Sequence, residues 1–333
     1  MRGGIKEMKK ISKLMLISLL FLSIIGLSGC SNSETTEDDN KKVIGIAIYS
    51  MGADSCVSLV NDAEEAAKKY GWEIKLLDAN GDPSTQADQL ATFISEDVDA
   101  IILNPTDTTS LIPSIKDAVD AGIPVCGVGM EMDQEAMDML LFFAGIDDYN
   151  LAYSGTNWIV DKYNGTSSKA ALITGTAGTD PTYKTIKAFE DSINGTDIVN
   201  VGNYDGNYDT ATSMAIMEDL LVEHPDIKAV FCQDHVMAAG VAEAISDAGK
   251  SNDVSVVATV GITDYLSYVD EGLLTTATYV LLWKCGSFAI DTLASYFDGT
   301  VVPEAKYYAD PIIITKENLS EASNAKFVFS PAK

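Results

Sequence analysis

The chain has 333 residues, 47% of them hydrophobic, with 22 lysines and arginines against 49 carboxylates. That is enough apolar material for two buried cores, and it excludes a disordered, collagenous or disulfide-stapled chain. A formal charge of −27 excludes nucleic acid, whose phosphates are bound by basic patches. Arg2 is the only arginine.

In chain order, the N-terminus reads as an address. Lys6, Lys9, Lys10 and Lys13 precede an apolar run from Leu14 to Leu27. The run is shorter than the roughly 20 residues of a spanning helix and has the order of a secretory signal. Met8 opens a more typical signal than Met1 does. Leu27-Ser28-Gly29-Cys30 resembles the lipobox of bacterial lipoproteins, which implies lipidation of Cys30 as the mature N-terminus. Residues 1–29 are then a lipoprotein signal peptide and 30–41 a flexible tether. Cleavage removes five cations (Arg2, Lys6, Lys9, Lys10, Lys13) and one anion (Glu7), which takes the charge from −27 to −31.

From Lys42 onward, β-rich runs alternate with amphipathic stretches. Strands are expected at Val43–Tyr49, Glu73–Leu77, Ala100–Leu103 and Ile123–Val128, with helices at 56–70, 84–96 and 108–121. Gly71 and Gly122 fall just past helix ends. The pattern then restarts, with strands at Lys169–Thr174, Ile198–Val201, Ala229–Cys232 and Val254–Val260 and helices at 182–193, 210–222 and 236–248. Two consecutive parallel units predict two similar lobes, with a ligand cleft beyond the carboxyl ends of the strands.

Chemistry motifs are missing. Gly249-Lys250-Ser251 lacks the leading glycine of a phosphate loop, and Gly127-x-Gly129 lacks the third glycine of a dinucleotide fingerprint. No GxSxG or HExxH occurs, and His224 and His235 are the only histidines. Asp205-x-Asn207-x-Asp209 lacks the glycine and glutamate of a calcium loop, so a turn with Asp209 capping a helix is expected. Cys56, Cys126, Cys232 and Cys285 have no metal or redox spacing and read as small buried side chains. No catalytic residue, metal or cofactor is expected, and the chain does not read as an enzyme.

Asp99-Ala-Ile-Ile-Leu-Asn-Pro-Thr-Asp107, Ala121-Gly-Ile-Pro-Val125 and His224-Pro-Asp-Ile-Lys-Ala-Val-Phe231 resemble the type I periplasmic sugar-binding proteins, the ribose-binding group especially. The resemblance implies two Rossmann-like α/β lobes with parallel sheets, joined by a three-strand hinge and closing on one ligand in the interlobe cleft. It puts the crossovers near Ala144–Asp147, Tyr279–Leu281 and Asp310–Ile312. The N-terminal lobe is then 42–144 plus 281–310, and the C-terminal lobe 145–280 plus 311–333.

Carried over by position, the ribose-type pocket falls on Ala53, Ser55 and Cys56, then Gly129 and Met130, Tyr183, Tyr208, Asp234, Val260 and about Val280. Most of the charged sugar grip is absent, and only Tyr208 and Asp234 keep the family's character. Asp54, Glu131, Asp180, Thr259 and Trp283 complete the candidates. The resemblance implies an extracellular solute-binding lipoprotein of an ABC importer, a monomer anchored through Cys30 to a Gram-positive cell membrane and partnered by a permease. A saccharide is the family default. A nucleobase, nucleoside or other small neutral or cationic compound is the alternative, as is a sensor role at a membrane receptor. A mature chain without arginine has no guanidinium to clamp a carboxylate or phosphate from two sides.

Overall fold

The computed structural model describes residues 41–163, 165–322 and 327–332. The expected signal peptide, Cys30 and all of the expected tether except its last residue lie outside them.

The first lobe begins β1 (Val43–Ile48), α1 (Asp54–Tyr70), β2 (Glu73–Asp78), α2 (Pro83–Ser95), β3 (Ala100–Leu103), α3 (Ile112–Asp120), β4 (Val125–Gly129), α4 (Gln134–Met137) and β5 (Phe142–Gly145). The second follows as α5 (Asp148–Tyr163), β6 (Ser168–Thr174), α6 (Asp180–Ile193), β7 (Ile198–Asp205), α7 (Thr210–Glu223), β8 (Ile227–Cys232), α8 (His235–Asp247), β9 (Ser255–Val260), α9 (Ser267–Glu271) and β10 (Thr276–Tyr279). The chain ends α10 (Cys285–Phe297), β11 (Lys306–Ala309), β12 (Ile312–Ile314), α11 (Leu319–Ala322) and β13 (Phe329–Pro331).

Two sheets result, ordered β13-β11-β5-β4-β3-β1-β2 and β12-β10-β9-β8-β6-β7. Only the edge strands β12 and β13 run antiparallel. Each sheet is apolar on both faces, as parallel strands require. In the first, Ile44, Ile46 and Val128 pack with Leu59 and Val60 of α1 and Leu293 of α10. Ala47, Ile101 and Phe143 face the other way, toward Leu90, Phe93 and Ile115. In the second, Ile173 and Val230 meet Met217 and Val241, while Leu172 and Phe231 meet Ile159 and Phe189. The four cysteines are free and buried in these layers.

The chain passes between the sheets at residues 146–147, 280–284 and 310–311. Residues 311–333 do not all stay in the second lobe. Phe329–Pro331 returns to pair with Tyr307–Ala309, so a fourth passage follows β12. Two further boundaries differ from expectation by four residues. The helix expected from residue 108 starts at Ile112, because the Asp107 carboxylate accepts from the Thr109 and Ser110 N–H groups and holds a turn there. β7 runs on to Asp205, through a register shift opposite Ala170–Leu172.

The second passage is clamped. Asp62 of α1 is buried, and its carboxylate accepts from Lys284 Nζ at 2.7 Å and from the Ser287 N–H at 2.7 Å. Gly286 makes the approach of α10 possible, since a Cβ there would lie 2.3 Å from the Leu59 carbonyl oxygen. Asp62→Ala leaves both donors without their partner and is expected to cost about 2–3 kcal/mol in urea unfolding. A midpoint equal to that of wild type would show that the clamp contributes nothing to stability.

Candidate functional site

The rim of the first lobe is set by two amide side chains. Asn104, just past β3, accepts at Oδ1 from the Tyr49 N–H at 3.3 Å and the Cys56 thiol at 3.5 Å. Its Nδ2 donates to the Val128 carbonyl at 3.0 Å. Gly129 has φ 86°, and a Cβ there would come within 2.7 Å of that Nδ2. Gln86 of α2, fully buried, donates to the Ala47 and Asn104 carbonyls and accepts from the Thr106 N–H. The ends of β1, β3 and β4 are thereby tied together.

In the second lobe Gln233, past β8, has the same office. Its Oε1 accepts from the Gly175 N–H at 2.8 Å and Thr182 Oγ1 at 3.2 Å, and its Nε2 donates to the Tyr208 hydroxyl at 3.0 Å. Tyr208 and Asn207 take left-handed backbone, φ 56° and 53°. This turns the Tyr208 ring over Gly175, where a Cβ would clash at 2.1 Å. The ring stays 42% exposed, so it presents a fixed apolar face. Asp209 and Asp234 cap α7 and α8 through the N–H groups of Thr212 and Met237.

The lobes also meet through charge. Glu131, past β4, accepts at Oε1 from Lys306 Nζ at 2.8 Å and from the Tyr308 hydroxyl at 2.5 Å. Lys184 of α6 reaches its Oε2 at 3.3 Å and Asp180 at 2.9 Å, so an ion pair spans the two lobes. Burial would raise the pKa of Glu131, but hydrogen bonds from Lys306 and Tyr308 outweigh it and hold the group below its ordinary value. Asp148, first residue of α5, behaves oppositely. Burial pushes its carboxyl up to about 6, Lys184 opposes, and Asp147, Asp180 and Glu131 add to the rise. Burial also raises Asp234 and lowers its neighbour His235.

Between α1, the turn after β9 and the second passage lies a cavity of about 560 Å³. Of the expected residues, Asp54, Ser55 and Trp283 line it, with Thr263 and Asp264 opposite. Met130 and Tyr183 are exposed, at 40% and 62%. Glu131 and Asp180 join through Lys184. Two expectations are corrected. Val260 is sealed in the second core with no surface, and Cys56 is buried with its thiol on Asn104. Neither side chain is available to a ligand. Among the described residues no set of three histidine, cysteine or acidic side chains could hold a metal ion.

Gln233 and Asp148 escape sequence reasoning. The acidic pair Asp147-Asp148, placed just where the first crossover is expected, is the one signal that could have found Asp148. Nothing local marks Gln233.

Two α/β lobes with polar side chains gathered where their strand ends converge define a two-lobed solute-binding protein. A family model described as a periplasmic binding protein domain matches residues 44–300, and the chain belongs to that family. The ribose import binding protein RbsB of Bacillus subtilis is 29% identical over 265 residues, 79% of this chain and 85% of that protein. An ABC transporter solute-binding protein from Bacillus halodurans, solved with bound myo-inositol, aligns with a TM-score of 0.69 at 25% identity, covering 87% of this chain and 99% of that one. A periplasmic ribose ABC transporter structure from Conexibacter woesei, 21% identical, shares the fold with a TM-score of 0.77 over 86% and 96%.

Native Asp148 keeps its proton to about pH 6, whereas an unfolded aspartate releases it near pH 4. The native state therefore binds the extra proton in that window, and stability falls as pH rises from about 4 through 6. Asp148→Asn is expected to unfold about 2–3 kcal/mol later than wild type at pH 7.5, with the gap closing below pH 4. A gap of equal size at both pH values would assign it to packing instead of charge.

Proposed function

We propose that the chain is the extracellular solute-binding lipoprotein of an ABC importer, closing on a small neutral hydroxylated ligand, a sugar or polyol. The observation that carries the reading is the Tyr208 platform, locked by Gln233, its hydroxyl pKa raised by burial and then by the nearby Asp148 and Asp234 carboxylates. An aromatic ring covers the apolar face of a sugar, while carboxylates accept its hydroxyl protons. Burying a hydroxyl without a partner costs about 1–3 kcal/mol, and Asp54, Asp148 and Asp234 supply acceptors to the cleft. An anionic solute would meet these groups without any guanidinium to offset them.

The surplus of acid favours a second reading. Asp147, Asp148, Asp180, Glu131 and Asp234 outnumber Lys184 and Lys306 around the cleft, so an amine-bearing solute gains where a neutral sugar only breaks even. Binding selects the closed arrangement, for which the Glu131–Lys184 pair already provides an interlobe contact. Relatives named for ribose import and for bound myo-inositol support the neutral reading. The lipobox-like segment Leu27-Ser28-Gly29-Cys30 supports lipidation at Cys30 and a membrane location. A permease is the expected partner.

A ligand at 100 times its Kd stabilises a protein by about 2.7 kcal/mol, so a thermal-shift screen over sugars, polyols, amines and acids separates the readings. Neutral sugars or polyols are expected to raise Tm, with Tyr208→Ala weakening the hit about tenfold by calorimetry at unchanged fold. Shifts from acids alone would sink both readings; shifts from amines alone would select the second. Cys30→Ala is expected to release the protein from the membrane fraction into the medium, and retention there would refute the anchor.

A further inference from the structure

A second cavity, of about 440 Å³, lies at the opposite pole of the second lobe, where β8, β9 and β10 begin. Its wall includes Lys162, whose ammonium reaches the Ser255 hydroxyl, and Lys228, whose carbonyl accepts from the Tyr163 hydroxyl. Among the described residues most lysines sit beside a carboxylate: Lys42, Lys75, Lys116, Lys169, Lys184, Lys187, Lys284 and Lys306 each have one within 3 Å. Among the described residues, Lys162 and Lys228 have none. Lys250, beside the cavity, donates to the Pro225 carbonyl and likewise pairs with no carboxylate.

Lys162 is held in place without counter-charge. Its Nζ donates to the buried Ser255 hydroxyl at 2.8 Å and lies 4.7 Å from the Trp158 ring centroid. Burial draws its pKa below the ordinary lysine value. An ammonium has three N–H donors, and Ser255 occupies one of these. Thr275 accepts at Oγ1 from the Val256 N–H, which leaves its own proton to donate. The N–H groups of Ser251 and Asn252, also in the wall, bond to nothing among the described residues. The wall thus gathers donors, with the Asp253 carboxylate as the opposing charge.

We propose that this polar cavity binds a compact oxyanion, a phosphate or phosphomonoester group, independently of the solute cleft. Lysine ammoniums serve as point charges for phosphate where the planar arginine fork is missing. The volume exceeds that of a bare phosphate and has room for an attached organic part.

The test titrates the full mature chain with inorganic phosphate and with glycerol 3-phosphate at constant ionic strength, followed by calorimetry and tryptophan fluorescence. Binding is expected, with a fluorescence change as the oxyanion draws Lys162 from the Trp158 ring. Lys162→Met and Lys228→Met should each weaken it about tenfold, the weight of one charge-assisted hydrogen bond. Asp253→Asn should tighten it about threefold by removing the opposing charge. Stronger binding of the ester points to a phosphorylated metabolite, and equal binding to free phosphate; both support the site. Unchanged circular dichroism and an unchanged urea-unfolding midpoint show that the variants fold. No heat from either probe, heat unaffected by the double lysine variant, or weaker binding in Asp253→Asn would each overturn the proposal.

Discussion

Covering both faces of two parallel sheets decides where every polar group of this protein can go. Ile46, Ile102, Leu172 and Phe231 have no exposed surface, and each layer is closed by helices. Buried apolar area contributes about 25 cal/mol per Å², so an unpartnered polar group inside either layer would be a net loss. The amide and charged side chains of the site therefore gather at the strand ends, while the small hydroxyls of Thr156, Ser213, Thr276 and Thr278 stay buried without a partner among the described residues. Asn104 with Gln86 in one lobe bind mainly backbone groups, and Gln233 in the other joins the Gly175 N–H to the Thr182 and Tyr208 side chains, so that both sets of ends become rigid rims. The two lobes thus solve the same problem with amides, which carry no charge to be desolvated.

Charge is handled at the junction of the lobes instead. Glu131 takes two hydrogen bonds from its own lobe and one ammonium from the other, so it stays ionised despite burial. Among the described residues no donor hydrogen-bonds to the Asp148 carboxyl, and burial pushes it up to about 6. A cleft that contains both kinds of carboxylate accepts hydroxyl and amine protons and repels acids. The scarcity of arginine, evident from composition, and the excess of acid in the cleft are therefore one property seen at two scales.

Much of the fold was legible because parallel strands buried on both faces read as short apolar runs between helical periods. Val43–Ile48 and Ala100–Leu103 stand within a residue of expectation. Phe329–Pro331 was not legible: three residues at an edge have too little pattern to say which sheet they join. For the site, position along a strand was readable but the direction of a side chain was not. Successive residues of a strand alternate between faces, so Val260 can end β9 at the cleft and still send its side chain into the core. Cys56 fails in the same way on a helix, where the face turned to Asn104 is the inner one. Gln233 depends on Gly175, Thr182 and Tyr208, which come from three separate segments, and no local spacing encodes that meeting.

The return of β13 to the first sheet means that the folded chain both begins and ends in the same lobe. The second lobe is in effect a long insertion in a body that holds both β1 and β13. A fluorophore or fusion partner placed at the C-terminus would ride with β1, and would stay still when the second lobe swings. Reporting the motion would need a label within residues 148–279, for instance on the outer face of α7.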